Sequence, residues 1–169
     1  MTLRGEWPCY ATAIGAFSCV LISLAFIVPW YGADYDYWSG TDNDYRVEYS
    51  VGMKVMGDTM PIVAIVLMLS LAASIIATVL AYYHKRAIGV IAGLLSAGFL
   101  LASGIVFYNG ITDELRLDGF AGHTELNRSW VVETAPMLGW WIAILGPIVP
   151  MAHAIVLANL DRDDSRKSP

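Results

Sequence analysis

The stretch PIVAIVLMLSLAASIIATVLAYYHKRAIGVIAGLLSAGFLLASGIVFY, residues 61–108, decides the fold. It holds two apolar runs, 61–83 and 87–108, and neither contains an Asp, Glu, Lys or Arg. About 20 apolar residues in a helix cover the roughly 30 Å of a bilayer's hydrocarbon. Each run is therefore long enough to cross a membrane. Only His84-Lys85-Arg86 separates them, so the pair reads as a tight helical hairpin. Pro61 suits a first helical turn, where its missing N–H would have no intrahelical partner.

Two further uncharged blocks flank this hairpin, residues 10–30 and 137–160. Pro29-Trp30-Tyr31 is not a small-residue cleavage site, and the block before it is longer than a leader's apolar segment. The first block therefore reads as a retained span. Pro147 and Pro150 fall within the last block and are expected to kink it. The chain of 169 residues is 57% hydrophobic and only 15% charged, against about a quarter charged in soluble domains. The predicted fold is an all-α transmembrane four-helix bundle forming a single domain. Two loops, about 31–60 and 109–136, lie on one side. Four spans and these loops leave no room for a second globular domain.

Orientation follows from the basic residues. Arg4, Lys85, Arg86, Arg162, Arg166 and Lys167 fall on the side of the termini and the hairpin. Arg46, Lys54, Arg116 and Arg128 are spread through the longer opposite loops, which also hold eleven of the fifteen acids. Cytoplasmic loops carry the excess of Lys and Arg. This places a multi-pass protein in the cell membrane with both termini cytoplasmic and an acidic outer face. Trp30, Tyr31, Tyr108, Trp140 and Trp141 mark the outer interface, and Tyr82 and Tyr83 the inner one. The net charge of −5 offers no basic face for nucleic acid.

The first outer loop has period two. Tyr31, Ala33, Tyr35 and Tyr37 alternate with Gly32, Asp34, Asp36 and Trp38. After a turn-like 39–44, Val47, Tyr49, Val51, Met53 and Val55 alternate with Arg46, Glu48, Ser50, Gly52 and Lys54. Such alternation predicts strands with one apolar face. A small antiparallel sheet in the extracellular loops is expected to lie on the helix ends. Glu114–Leu117 and Trp130–Thr134 form a weaker pair, one of which extends the same sheet. Tyr35, Tyr37, Trp38, Tyr45 and Tyr49 are the candidate interaction residues of this cap.

Small residues recur every four positions on three spans: Ala11, Gly15, Cys19 and Ser23; Ala73, Ala77 and Ala81; Gly89, Gly93 and Ala97. Such stripes let helices approach closely in lipid, and are assigned to helix packing. Cys9 and Cys19 are the only cysteines, and form no CxxC pair or disulfide framework. Cys9, near the inner interface, is read as a plain thiol, with lipidation as the alternative. His153, with Asn159 six residues on, is the one strongly polar pair inside a span. It reads as hydrogen-bonded within the bundle. The histidines do not converge on a metal, and Asp34, Asp36, Asp42 and Asp44 read as a solvated acidic loop. Asn127-Arg128-Ser129 matches a glycosylation acceptor on the outer side. No GxSxG, HExxH or P-loop occurs, so no catalytic, metal or cofactor-binding residue is assigned.

The layout resembles the tetraspan claudin and peripheral myelin protein group. Pro29-Trp30 closes the first span, a β-rich first outer loop follows, the cytoplasmic hairpin is short, and Leu138-Gly139-Trp140-Trp141 opens the fourth span. That family's first loop has a tryptophan followed by two cysteines, whereas no cysteine follows Trp38. The resemblance therefore implies architecture alone and no functional residues. The expected function is a non-catalytic structural or accessory subunit. It meets membrane lipid and other integral membrane proteins, or its own copies, through its helices and acidic, Tyr-rich cap. The alternatives are a homo-oligomeric pore or adhesion element and a metal-binding membrane enzyme subunit.

Overall fold

The computed structural model describes residues 7–37, 45–52, 60–115, 122–127 and 130–165. In chain order these form α1 (Trp7–Ala25), β1 (Tyr31–Tyr37), β2 (Tyr45–Val51), α2 (Pro61–Tyr82), α3 (Arg86–Leu115), β3 (Gly122–Asn127), β4 (Trp130–Pro136), α4 (Leu138–Leu145) and α5 (Ile148–Ser165). Three helical rods, Pro61–Tyr82, Arg86–Ile111 and Leu138–Leu160, are long and apolar enough to cross a membrane. The apolar part of α1 is shorter, Cys9–Ala25. The protein is thus mostly helical, with a small antiparallel sheet.

Proline chemistry sets the helix ends. Pro29 has no N–H for the carbonyl of Ala25, four residues back. The indole Nε1 of Trp30 donates to that carbonyl instead, at 2.7 Å. The last turn before it tightens, with Phe26 N donating to Ser23 O and Ile27 N to Leu24 O. Pro147 likewise has no N–H for the carbonyl of Ala143, and the last helical rod breaks there into α4 and α5. Pro150 does not break it further, because it lies in the first turn of α5, where no N–H is required.

The α2–α3 hairpin closes with paired terminal bonds. Lys85 N donates to Leu80 O at 2.8 Å and His84 N to Ala81 O at 3.2 Å. This is the Schellman arrangement, which needs a left-handed residue and most often uses glycine. Here it is His84, with φ 58°. A left-handed conformation costs an L-residue about 1 kcal/mol. His84→Gly is therefore expected to stabilise the hairpin by about that amount, read as a higher denaturation midpoint in SDS–detergent mixed micelles. An unchanged or lower midpoint would refute it.

The rods form a ring: α1 packs on α2, α2 on α3, α3 on α4 and α5, and these back on α1. The buried positions step alternately by four and three. On α1 they are Ala11, Gly15, Ser18, Ile22 and Ala25; on α2, Val63, Leu67, Ser70, Ser74, Ala77 and Ala81, with Ala73 buried beside them. A mean of 3.5 residues is the knobs-into-holes period of left-handed bundles. The seam is largely small, whereas Phe17, Val20, Ile65, Met68, Ile91 and Ile155 point outward.

The sheet has four strands in the order β2-β1-β4-β3, all antiparallel. Its register sorts the residues by face. Tyr35 stands opposite Val47 and Val132, and Tyr37 opposite Tyr45 and Trp130. By register Tyr31, Ala33, Tyr35 and Tyr37 thus share a face with Tyr45, Val47, Tyr49 and Val51 and with Trp130 and Val132, while Val131 falls on the other face with Asp36 and Glu125. β1 follows α1 after five residues, and β4 precedes α4 with only Met137 between them. Met137 N donates to Trp30 O and Gly139 N to Pro29 O, both at 2.9 Å, so the sheet is stitched to the bundle at this corner. The sequence placed a strand at Glu114–Leu117, but α3 continues to Leu115 and the fourth strand is Gly122–Asn127. At about 1.5 Å per residue, the 30 residues of α3 reach well past an apolar layer. Ile111 stays buried, four residues after Phe107, which holds the extension helical.

Candidate functional site

The bundle core has three layers. Next to the sheet, Ile22, Leu67, Leu100, Phe107, Ile142 and Trp30 make an apolar cluster. At the hairpin end Ala11, Ala81 and Leu157 make another. Between them lies a polar layer: Ser18, Ser70, Ser74, Ser96 and His153, all buried.

Hydrogen bonds tie this layer across helices. Ser70 Oγ donates to Ser96 O at 2.8 Å, and Ser96 Oγ donates to Ser70 O at 2.9 Å. This reciprocal clasp locks α2 to α3. Ser74 Oγ donates to Ser18 Oγ at 3.0 Å and joins α2 to α1. Cys19 Sγ donates to Ser74 Oγ at 3.4 Å, with Thr78 Oγ1 3.8 Å away. Thr78 Oγ1 donates back to Ser74 O at 2.8 Å. Hydroxyls satisfied this way are glue between helices in lipid, worth about 0.6 kcal/mol each and up to about 1.7. Ser70→Ala and Ser96→Ala are each expected to cost about 1 kcal/mol, and the double variant about 2. SDS unfolding midpoints test this. Two silent single variants would show that the clasp contributes nothing.

His153 is the exception. Its relative exposure is 0%, and neither Nδ1 nor Nε2 has a hydrogen-bond partner. The imidazole lies where α5 meets α1 and α2. A Cβ built on Gly15 would collide with Thr78 Oγ1 and stand 2.7 Å from His153 Cε1. Gly15 is thus the hollow that admits both side chains. The sequence reading expected His153 to be hydrogen-bonded within the bundle, but both ring nitrogens are without a partner, and Asn159 is exposed.

The structure spreads the small-residue candidates over the bundle. Ala11 and Gly15 are buried, while Cys19 and Ser23 are half-buried. The seam passes instead through Ser18 and Ile22. Gly89, Gly93 and Ala97 are buried. A Cβ on Gly93 would lie 3.2 Å from Ala154 Cβ and 3.3 Å from Pro150 O, and one on Gly89 would lie 3.0 Å from Leu157 Cδ1. These glycines set α3 close against α5. Tyr35, Tyr37, Tyr45 and Tyr49 share one face of the sheet by register, and Trp38 lies outside the described residues. Asn127 is the last residue of β3, opposite Trp130.

Both cysteines are free thiols, Cys9 exposed and Cys19 half-buried. Cys9, Thr12, Ala13, Ala16, Ala81 and Tyr82 line an open groove of about 500 Å³ between α1 and α2. Among the described residues, no three His, Cys, Asp or Glu side chains converge on a metal position. The sequence reading missed the serine layer. Its signal is four serines, 18, 70, 74 and 96, at seam positions of three different helices. No protein-family model and no curated protein matches the chain.

Proposed function

We propose that the chain is a four-span protein of the cell membrane, with cytoplasmic termini, serving as a non-catalytic structural or accessory subunit. The observation that carries this is the inversion of the bundle. Its seam is rich in Gly, Ala and Ser between two apolar clusters, and many of its large aliphatic side chains face outward. In water such a surface would drive aggregation. In lipid it is solvated, and small seam residues let helices pack without a hydrophobic driving force. α1 counts as the fourth span because it runs the full depth of the other rods. Ala11 meets Ala81 and Leu157 at one end, and Ile22 joins Leu67 and Leu100 toward the other.

The layering favours a structural role over permeation. The polar residues that would line a path are enclosed between two apolar clusters. The acidic, Tyr-rich cap and the outward helix faces are then the surfaces for neighbouring membrane proteins, for lipid or for another copy. Recovery of tagged protein from native membranes in mild detergent tests this. A stoichiometric membrane partner is expected. Repeated recovery of the chain alone would sink the accessory reading and transfer the weight to self-assembly.

A further inference from the structure

We propose that the free edge of β2 pairs with β2 of a second copy, joining two caps into one continuous eight-stranded sheet. The strand order β2-β1-β4-β3 leaves β2 and β3 as the edges. An open edge offers a row of unpaired N–H and C=O groups, and proteins blunt such edges with bulges, prolines, lysines or shortness. β3 has this protection, with a register break between Glu125 and Asn127. Among the described residues β2 has neither bulge nor Pro nor Lys: its seven residues keep an unbroken register with β1, and its charged members are Arg46 and Glu48.

The sequence of β2 is self-complementary. In Tyr45-Arg46-Val47-Glu48-Tyr49, a two-fold axis through Val47 sets Val47 opposite its own copy. The same axis sets Arg46 opposite the other chain's Glu48, and Tyr45 opposite its Tyr49, each twice. Opposite charges and aromatic pairs directly across antiparallel strands are favourable. An axis one residue further on, at Glu48, would set like charges together and fail.

By register the row through Glu48 holds three acids and a histidine. Glu48 stands opposite Asp34, Asp34 opposite Glu133, and Glu133 opposite His123. Like charges in direct register oppose pairing. On the other side of Glu48 in that row lies the β2 edge, where self-pairing delivers Arg46 of the second copy. The same pairing sets the apolar faces of both sheets on one side, as a continuous sheet requires.

This deepens the reading of the cap as an interaction surface and rests on it. Its test uses the full chain in membranes, with Cys9→Ser and Cys19→Ser as background. Val47→Cys is expected to give an oxidant-dependent dimer, because directly opposed strand residues lie within disulfide reach. Thr124→Cys, on the same face of the protected edge, is expected not to. Arg46→Glu and Glu48→Arg are each expected to weaken dimerisation about ten-fold. Co-expressed, the two variants are expected to pair with each other, since Glu then faces Arg at both positions. Rescue by mixing separates lost pairing from lost folding. Equal cross-linking at 47 and 124, or no rescue in the mixture, would overturn the proposal. A stoichiometric foreign partner without a Val47→Cys dimer would overturn self-pairing and leave the accessory reading standing.

Discussion

Gly139→Leu is expected to destabilise the bundle by about 3 kcal/mol or more, the largest loss from any single substitution considered. A side chain at Gly139 has nowhere to go. Its Cβ would run into the indole of Trp30, meeting Cδ1, Nε1 and Cγ. The indole cannot retreat. It is fully buried and stands edge-on to Phe107 with centroids 5.2 Å apart. Its N–H also holds the Ala25 carbonyl that Pro29 leaves without a donor. The backbone of Gly139 is fixed too, by its N–H bond to Pro29 O. Inserting a branched side chain must therefore expel the ring or part α1 from α4. Expulsion forfeits the burial of a tryptophan, the last-turn bond and the corner that ties sheet to bundle. The measurement is the unfolding midpoint in SDS–detergent mixtures, followed by tryptophan fluorescence and circular dichroism. Leu138→Ala, at an exposed neighbouring position, should leave the midpoint within about 0.5 kcal/mol. A Gly139→Leu protein as stable as the parent would mean that Trp30 does not rest on Gly139.

This corner shows what the sequence could and could not disclose. Pro29-Trp30 and Leu138-Gly139-Trp140-Trp141 stood out as ends of spans. Their juxtaposition did not, because about a hundred residues separate them and no local pattern encodes it. The helical runs were legible because an uncharged block leaves few alternatives to a helix in an apolar solvent. β1 and β2 were legible for a different reason. The alternation runs from Tyr31 to Trp38 and from Arg46 to Val55 and has only one extended solution; β1 and β2 take its first parts, and Trp38 and 53–55 lie outside the described residues. β3 was not legible: Gly122-His-Thr-Glu-Leu-Asn has no apolar alternation. It is placed by its ladder with β4 rather than by its own pattern.

The small-residue stripe illustrates a subtler limit. A repeat of exactly four residues drifts around a helix of 3.6 residues per turn. A stripe from Ala11 through Gly15, Cys19 and Ser23 therefore leaves the interface within two turns. The seam that packs alternates steps of four and three, and so takes Ser18 and Ile22. Reading that period on all four rods would have found the serine layer before any coordinates, since Ser70, Ser74 and Ser96 fall on it as well.

His153→Leu is expected to act in the opposite direction to Gly139→Leu. It should stabilise the bundle by about 1–3 kcal/mol. A buried polar group without a partner bears its full desolvation cost, whereas an apolar side chain of similar size in its place does not. His153 has two ring nitrogens in that condition, in a layer whose serines, Ser18, Ser70, Ser74 and Ser96, are bonded across helices. Gly15 supplies the space on one side, so a leucine must fit a hollow shaped for a flat ring. His153→Met, with its more adaptable side chain, controls for shape and should gain at least part of the same stability. The unfolding midpoint reads both variants. A loss in both would mean that the imidazole has partners in the membrane, such as internal water, and that the polar layer is more fully bonded than its side chains alone provide. A gain carries a functional consequence. Natural proteins hold residues that cost stability, some of them for function, so a gain makes His153 worth testing in the assembly. The pull-down from native membranes should then be repeated with His153→Leu. A stabilised variant that no longer recovers its partner would place the purpose of this histidine in the assembly. Full recovery would make His153 a tolerated burden on a scaffold that the serine clasp, the glycine hollows and the Trp30 corner hold together without it.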